Sequence, residues 1–176
     1  MKGVLKNPLF RFVLFASTLY LVWYVLYEFY IKIHTSFDEV VINNLVFLTK
    51  KFLHFLGYKL TSYSDAAYSS VVQIVDSLGI TVGTPCDGIV LLALFTVFII
   101  AFPGSWKHKL WFLPAGLISI HLINVLRIAA LAIIVDINPA WLDFNHDYTF
   151  TILVYAYVFF LWYIWVNKFS PLKPEK

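Results

Sequence analysis

Three side chains in this sequence are able to do covalent chemistry together. Cys86 is the one cysteine of the chain and sits in Thr84-Pro85-Cys86-Asp87-Gly88. His146 sits in Asp143-Phe144-Asn145-His146-Asp147, and Arg127 in Val125-Leu126-Arg127-Ile128-Ala129-Ala130. A thiol, an imidazole and a guanidinium are a set for acyl transfer. The imidazole takes the thiol proton, the thiolate attacks a carbonyl, and the cation steadies the oxyanion. A lone thiol in a membrane protein is more often a small apolar packer, and a loop histidine is often merely solvated. Their shared depth beside one face of the bilayer is what raises both to candidates. At a helix N-terminus the Cys86 thiol is expected to ionise more easily. Asp87 opposes that as a neighbour and is expected to cap the helix.

Arg127 is the most costly residue of the three. An arginine inside a membrane helix costs about 2.5–3.5 kcal/mol on insertion scales. Either it pairs inward with a carboxylate such as Glu28, or it is a fixed cation facing the bundle interior. Asn124 lies one turn earlier and His121 another, so the three make a polar stripe on an otherwise apolar helix. Asn124, Asp87 and His121 are candidates for positions that support the site or touch substrate. His34, His54 and His108 read as ordinary surface residues. The histidines lack metal-ligand spacing, so neither a metal nor another cofactor is expected. A single cysteine also excludes an intrachain disulfide and a cysteine-based zinc site.

The elements that must position these groups are membrane helices. Of 176 residues, 61% are hydrophobic and 13% charged, against about 25% charged in soluble domains. A soluble core cannot hide so much apolar side chain, and the formal charge of +3 is too small to argue for nucleic acid. The expectation is an all-α integral membrane protein, a single domain over residues 1–176. Its bundle has about four transmembrane helices, near residues 9–30, 88–102, 110–135 and 148–166. The basic residues before the first span and its length mark a retained anchor. The tryptophans mostly sit near the span ends, as interfacial aromatics do. Between the first two spans, over about 31–87, an amphipathic helix is expected from 37 to 56, with Val41, Leu45, Leu48, Phe52 and Phe55 at helical spacing on the membrane surface. Residues 61–70 read as polar and turn-like. Val72-Gln73-Ile74 and Ile80-Thr81-Val82 alternate around Ser77-Leu78-Gly79, as a small hairpin would.

Basic residues set the orientation. Lys2, Lys6, Arg11, Lys107, Lys109, Lys168, Lys173 and Lys176 fall on the side of the termini, which the positive-inside rule makes cytoplasmic. Cys86 and His146 then lie at the outer ends of their spans. Arg127 lies about eight residues, roughly 12 Å, inside the third.

The order and context of the motifs resemble the exosortase/archaeosortase family of membrane transpeptidases. Pro85-Cys86-Asp87-Gly88 followed by Ile89-Val90-Leu91 looks like the family's cysteine motif at the head of a span. Asn124-Val125-Leu126-Arg127-Ile128 looks like its arginine motif, and His146, just before the last span, matches its histidine. The likeness covers about residues 80–168 and is nearest to the short forms found in Bacteroidetes. The chain departs from the family in carrying Asp87 where Ser, Asn or another small polar residue is usual. It also lacks the additional spans of the longer members. The resemblance implies that Cys86 is the nucleophile, His146 the general base and acid, and Arg127 the stabiliser of the transition state. It implies partners as well: secreted proteins ending in a short motif, a transmembrane helix and a basic tail. These would be cut at the outer face of a bacterial cytoplasmic membrane and passed to a cell-surface acceptor. The alternative from the residues alone is a non-enzymatic assembly or transport component whose stripe of His121, Asn124 and Arg127 lines a path or binds a partner helix.

Overall fold

The computed structural model describes residues 7–62 and 69–171. Lys2, Lys6, Lys173, Lys176 and most of the turn-like 61–70 stretch lie outside them. The described residues are all-α apart from one hairpin. It comprises α1 (Pro8–Leu26), α2 (Phe37–Phe55), β1 (Val71–Val72), β2 (Ile80–Thr81), α3 (Ile89–Ala101), α4 (Trp106–Ile137) and α5 (Phe150–Phe169). Among the described residues, three helical stretches, Pro8–His34, Trp106–Ile137 and Pro139–Phe169, are long and apolar enough to cross a membrane. The chain is therefore an all-α membrane protein. The remaining expected span, α3, has 13 residues, or about 20 Å of rise. It stops before Pro103-Gly104.

Two compact units emerge from the packing. The first takes in α1, α3, the first half of α4 up to Ile120 and the end of α5 from Ala156. Asn7 starts α1 by accepting from the Leu9 N–H at 2.9 Å, with Pro8 at the first helical position, where its missing N–H costs nothing. The interior of this unit is aromatic. Phe12 meets Phe98 and Phe102 edge-on, Phe98 stacks on Trp162, and Phe95, Phe112, Trp165 and Phe169 form a second cluster. Trp165, expected among the interfacial aromatics, is instead fully buried. Its neighbours Phe112 and Phe169 enclose it, whereas Trp106, Trp111 and Trp141 do stay exposed. Gly116 on α4 faces the Phe95 ring of α3 so closely that a Cβ would overlap it. Lys109 reaches back from α4 to donate to the carbonyls of Ile100 (2.7 Å) and Phe102 (2.9 Å), closing the C-terminus of α3.

The second unit holds residues 36–88 and 121–155. Its α2 begins with Asp38 and Glu39 in the first turn, favourable to the helix dipole. It ends at Gly57, whose φ is +91°. The Gly57 N–H bonds the His54 carbonyl and the Tyr58 N–H bonds the Leu53 carbonyl, a Schellman stop. Ile42, Leu45, Val46, Thr49 and Leu53 are its buried face. That face is rotated from the expected stripe, and Phe55 points outward at 84% exposure. The reason is the partner: the buried face meets Val72 and Val82 of the hairpin and Val125, Ile128, Ala129 and Ala132 of α4 in one core. A hairpin forms in the expected region, with Val71 opposite Thr81 and Val72 opposite Ile80, its first strand ending at Val72 and not at the expected Ile74. Leu60 adds a bridge to Ile74.

Candidate functional site

All the residues of the candidate site belong to the second unit. Cys86 closes a single 3₁₀ turn, Thr84–Cys86, with its N–H on the Gly83 carbonyl at 2.8 Å. Gly88 follows at φ +78°, a left-handed conformation that costs a residue with a Cβ about 1–2 kcal/mol. A Cβ there would also stand 3.0 Å from the Asn124 amide nitrogen. The α-helix starts only at Ile89. The thiol therefore precedes α3 rather than sitting in its first turn, and the expected dipole effect is not what governs it.

His146 lies in a π-helical turn, Asn145–Thr149, inserted just before α5. Widened turns of this kind re-aim side chains. Here the turn brings His146 Nε2 to 2.8 Å from Cys86 Sγ. On its other edge, His146 Nδ1 is 2.8 Å from Asp147 Oδ1. An ionised carboxylate only accepts, so Nδ1 carries the hydrogen and Nε2 is left to receive the thiol proton. Asp147 was not a sequence candidate. Adjacent side chains on a regular helix do not face each other, and only the π turn makes this pair. Thr151 Oγ donates to the His146 carbonyl at 2.9 Å and holds the turn.

Arg127 is 8% exposed. One terminal guanidinium nitrogen donates to the His146 carbonyl at 3.5 Å, a long bond. Its Nε is buried with no acceptor, and among the described residues it has no ion pair. Glu28, the carboxylate weighed as one partner for it, pairs with Lys32 at 3.1 Å. A buried guanidinium with unused donors is a costly arrangement and leaves those donors for another group. Asn124 Nδ2 donates to the Cys86 carbonyl at 2.8 Å, anchoring the 3₁₀ turn to α4. His121 is turned to Asn44 on α2, with Nε2 at 2.8 Å from Oδ1, and takes no part near the sulfur. Asp87, 4% exposed, is buried beside the thiol.

The thiol is harder to ionise than an ordinary one, against the sequence expectation. Burial is the main cause, with Asp87 and Asp147 adding to it. The positive charge of Arg127 and the Gly83 backbone contact pull the other way without prevailing. Burial thus favours the protonated thiol, which faces His146 Nε2. Beside it opens a cavity of about 290 Å³, lined by Gly79 to Val82, Cys86, Ile128, Leu131, Leu142, Asp143 and His146.

Comparison of the chain with family models, with curated proteins and with solved structures finds no match.

Proposed function

We propose that the chain is a membrane-embedded cysteine transpeptidase or peptidase of the exosortase type, which cuts C-terminal sorting signals of secreted proteins at the outer face of the bacterial cytoplasmic membrane. The observation that carries this is the 2.8 Å approach of Cys86 Sγ to His146 Nε2, with an unpaired guanidinium alongside. A packing cysteine has no need of an imidazole held in the accepting tautomer. Further support comes from Arg127, whose burial without a carboxylate suits a charge that appears only during reaction.

In this scheme His146 Nε2 takes the thiol proton as Sγ bonds to the scissile carbonyl carbon. The carbonyl electron pair moves onto oxygen, which the Arg127 guanidinium stabilises. Collapse breaks the C–N bond, and His146 returns its proton to the leaving amine. A thioester on Cys86 remains. Attack by water or an acceptor amine releases the product and restores the thiol. Burial makes the thiol harder to ionise than an ordinary one, so attack depends on His146 taking its proton.

The test is made in the native host. Replacing Cys86 with Ala is expected to leave secreted proteins bearing a hydrophobic, basic-tailed C-terminus uncut. Wild-type protein from the same cells should carry a hydroxylamine-labile acyl adduct on Cys86, detectable by intact-mass spectrometry. Full processing by the Cys86→Ala chain overturns the proposal.

A further inference from the structure

The cavity beside the sulfur has two walls of different character. One is the segment Gly79–Val82, which contains β2; the other is apolar, made by Ile128 and Leu131 of α4 and by Leu142. Ile128 and Leu131 are 1% and 2% exposed, so the deep side is fixed by the core. The hairpin register leaves β2 with an open edge. Val82 donates to Ser70, and Ile80 lies opposite Val72. In an antiparallel ladder the residue between two such positions turns its N–H and C=O the other way. Thr81 therefore presents both groups away from β1, and the sheet has only two strands among the described residues.

Resting on the proposed peptidase chemistry, we infer that the substrate binds as an extended strand along the open edge of β2, placing the side chain of its acyl-side residue in the cavity between Ile128, Leu131 and Leu142. The occupant is a large aliphatic side chain. At about 290 Å³ the space lies at the lower limit of small-molecule sites, about 300–1,000 Å³, and is adequate for one residue. The Asp143 carboxylate at its margin disfavours an acidic one. The acyl side is assigned because that part stays bonded to sulfur until the acceptor arrives and so needs an enclosed seat. The entering and leaving amines must pass His146, whose side chain is 32% exposed beside Asp147 at 63%. Backbone pairing supplies affinity and the pocket supplies selection, as in other strand-addition complexes.

Peptidyl acyloxymethyl ketones test this on the full chain in proteoliposomes. Sγ displaces the acyloxy group as carboxylate, a thioether forms, and the thiol proton passes to His146. Probes carry Gly, Leu or Glu next to the warhead, and labelling of Cys86 is followed by mass spectrometry. The leucyl probe should label about tenfold or more faster than the glycyl one, and the glutamyl probe slowest. N-methylation of the probe backbone should slow labelling with the protein unchanged. Leu131→Trp and Leu142→Trp should each erase the leucyl preference, read within each variant as the ratio of leucyl to glycyl labelling rates. Equal rates for the three probes, indifference to N-methylation, or a preference that survives both tryptophan variants overturns the inference. A separate control addresses the chemistry itself: probe labelling that is unaffected by His146→Ala overturns the peptidase proposal, whichever side chain is preferred.

Discussion

At Cys86 two effects compete, and the structure decides between them by burial. The sequence places a thiol near a helix start and a cation, which favours thiolate. The folded chain buries the sulfur and brings up Asp147 beside the Asp87 already adjacent in sequence, and together these outweigh Arg127. Only the thiolate alkylates, so the rate of iodoacetamide labelling must rise with pH through a midpoint above that of an ordinary cysteine. Asp87→Asn removes a negative neighbour and stabilises the anion relative to wild type, so its midpoint moves down. Arg127→Met removes the opposing positive charge, and its midpoint moves up. At pH 7.5, labelling should be several-fold faster in the first variant and several-fold slower in the second. The reverse order would show that burial and these two charges do not govern the thiol. What was legible in the sequence was the trio itself, because Arg127 is costly inside a span and Cys86 and His146 share a depth at the ends of theirs. The sign of the thiol shift was not legible, since desolvation belongs to the packed chain. Asp147 was hidden for a similar reason: its contact with His146 needs a π turn, and no residue type in Asn145–Thr149 announces one.

Among the elements, the long helices were readable from hydrophobic run length, and the hairpin from alternation around Ser77-Leu78-Gly79. The face of α2 was less so. Val41, Leu48 and Phe52 pack around the core while Ile42, Val46, Thr49 and Leu53 fill it, a rotation set by where the hairpin and α4 meet the helix. Lys109 shows the same limit. In sequence it is one more positive charge near a span end, whereas in the fold it is 6% exposed and donates to two carbonyls at the end of α3. Lys109→Met keeps the aliphatic stem and deletes the donors. Leaving buried carbonyls unsatisfied costs about 1–3 kcal/mol. The variant should therefore unfold at lower temperature in detergent, whereas Lys107→Met, on an exposed neighbour, should not. Equal melting of the two variants would mean that Lys109 is not a structural cap.

For the whole molecule, the proposed activity has a consequence for the side of the membrane that Cys86 faces. Length and composition give the spans, but orientation rests on the placement of lysine and arginine. The first turn of α4, just after the short connection from α3, carries Lys107 and Lys109, and Arg11 precedes most of α1. With these on the cytoplasmic side, an odd number of crossings puts residues 36–88 outside. Cys86 is the single cysteine, so a membrane-impermeant methanethiosulfonate reagent reports on that one atom without mutagenesis. Its raised ionisation threshold makes labelling slow near neutrality, so the reaction belongs at about pH 9, where more thiolate is present. Intact spheroplasts should then label to the same extent as lysed membranes. Denaturing both samples before labelling gives the total thiol and corrects for partial burial of the sulfur. Labelling that appears only after lysis would place the thiol in the cytoplasm. The Cys86–His146 pair could still be chemically competent there, but it could not reach a secreted substrate at the outer face.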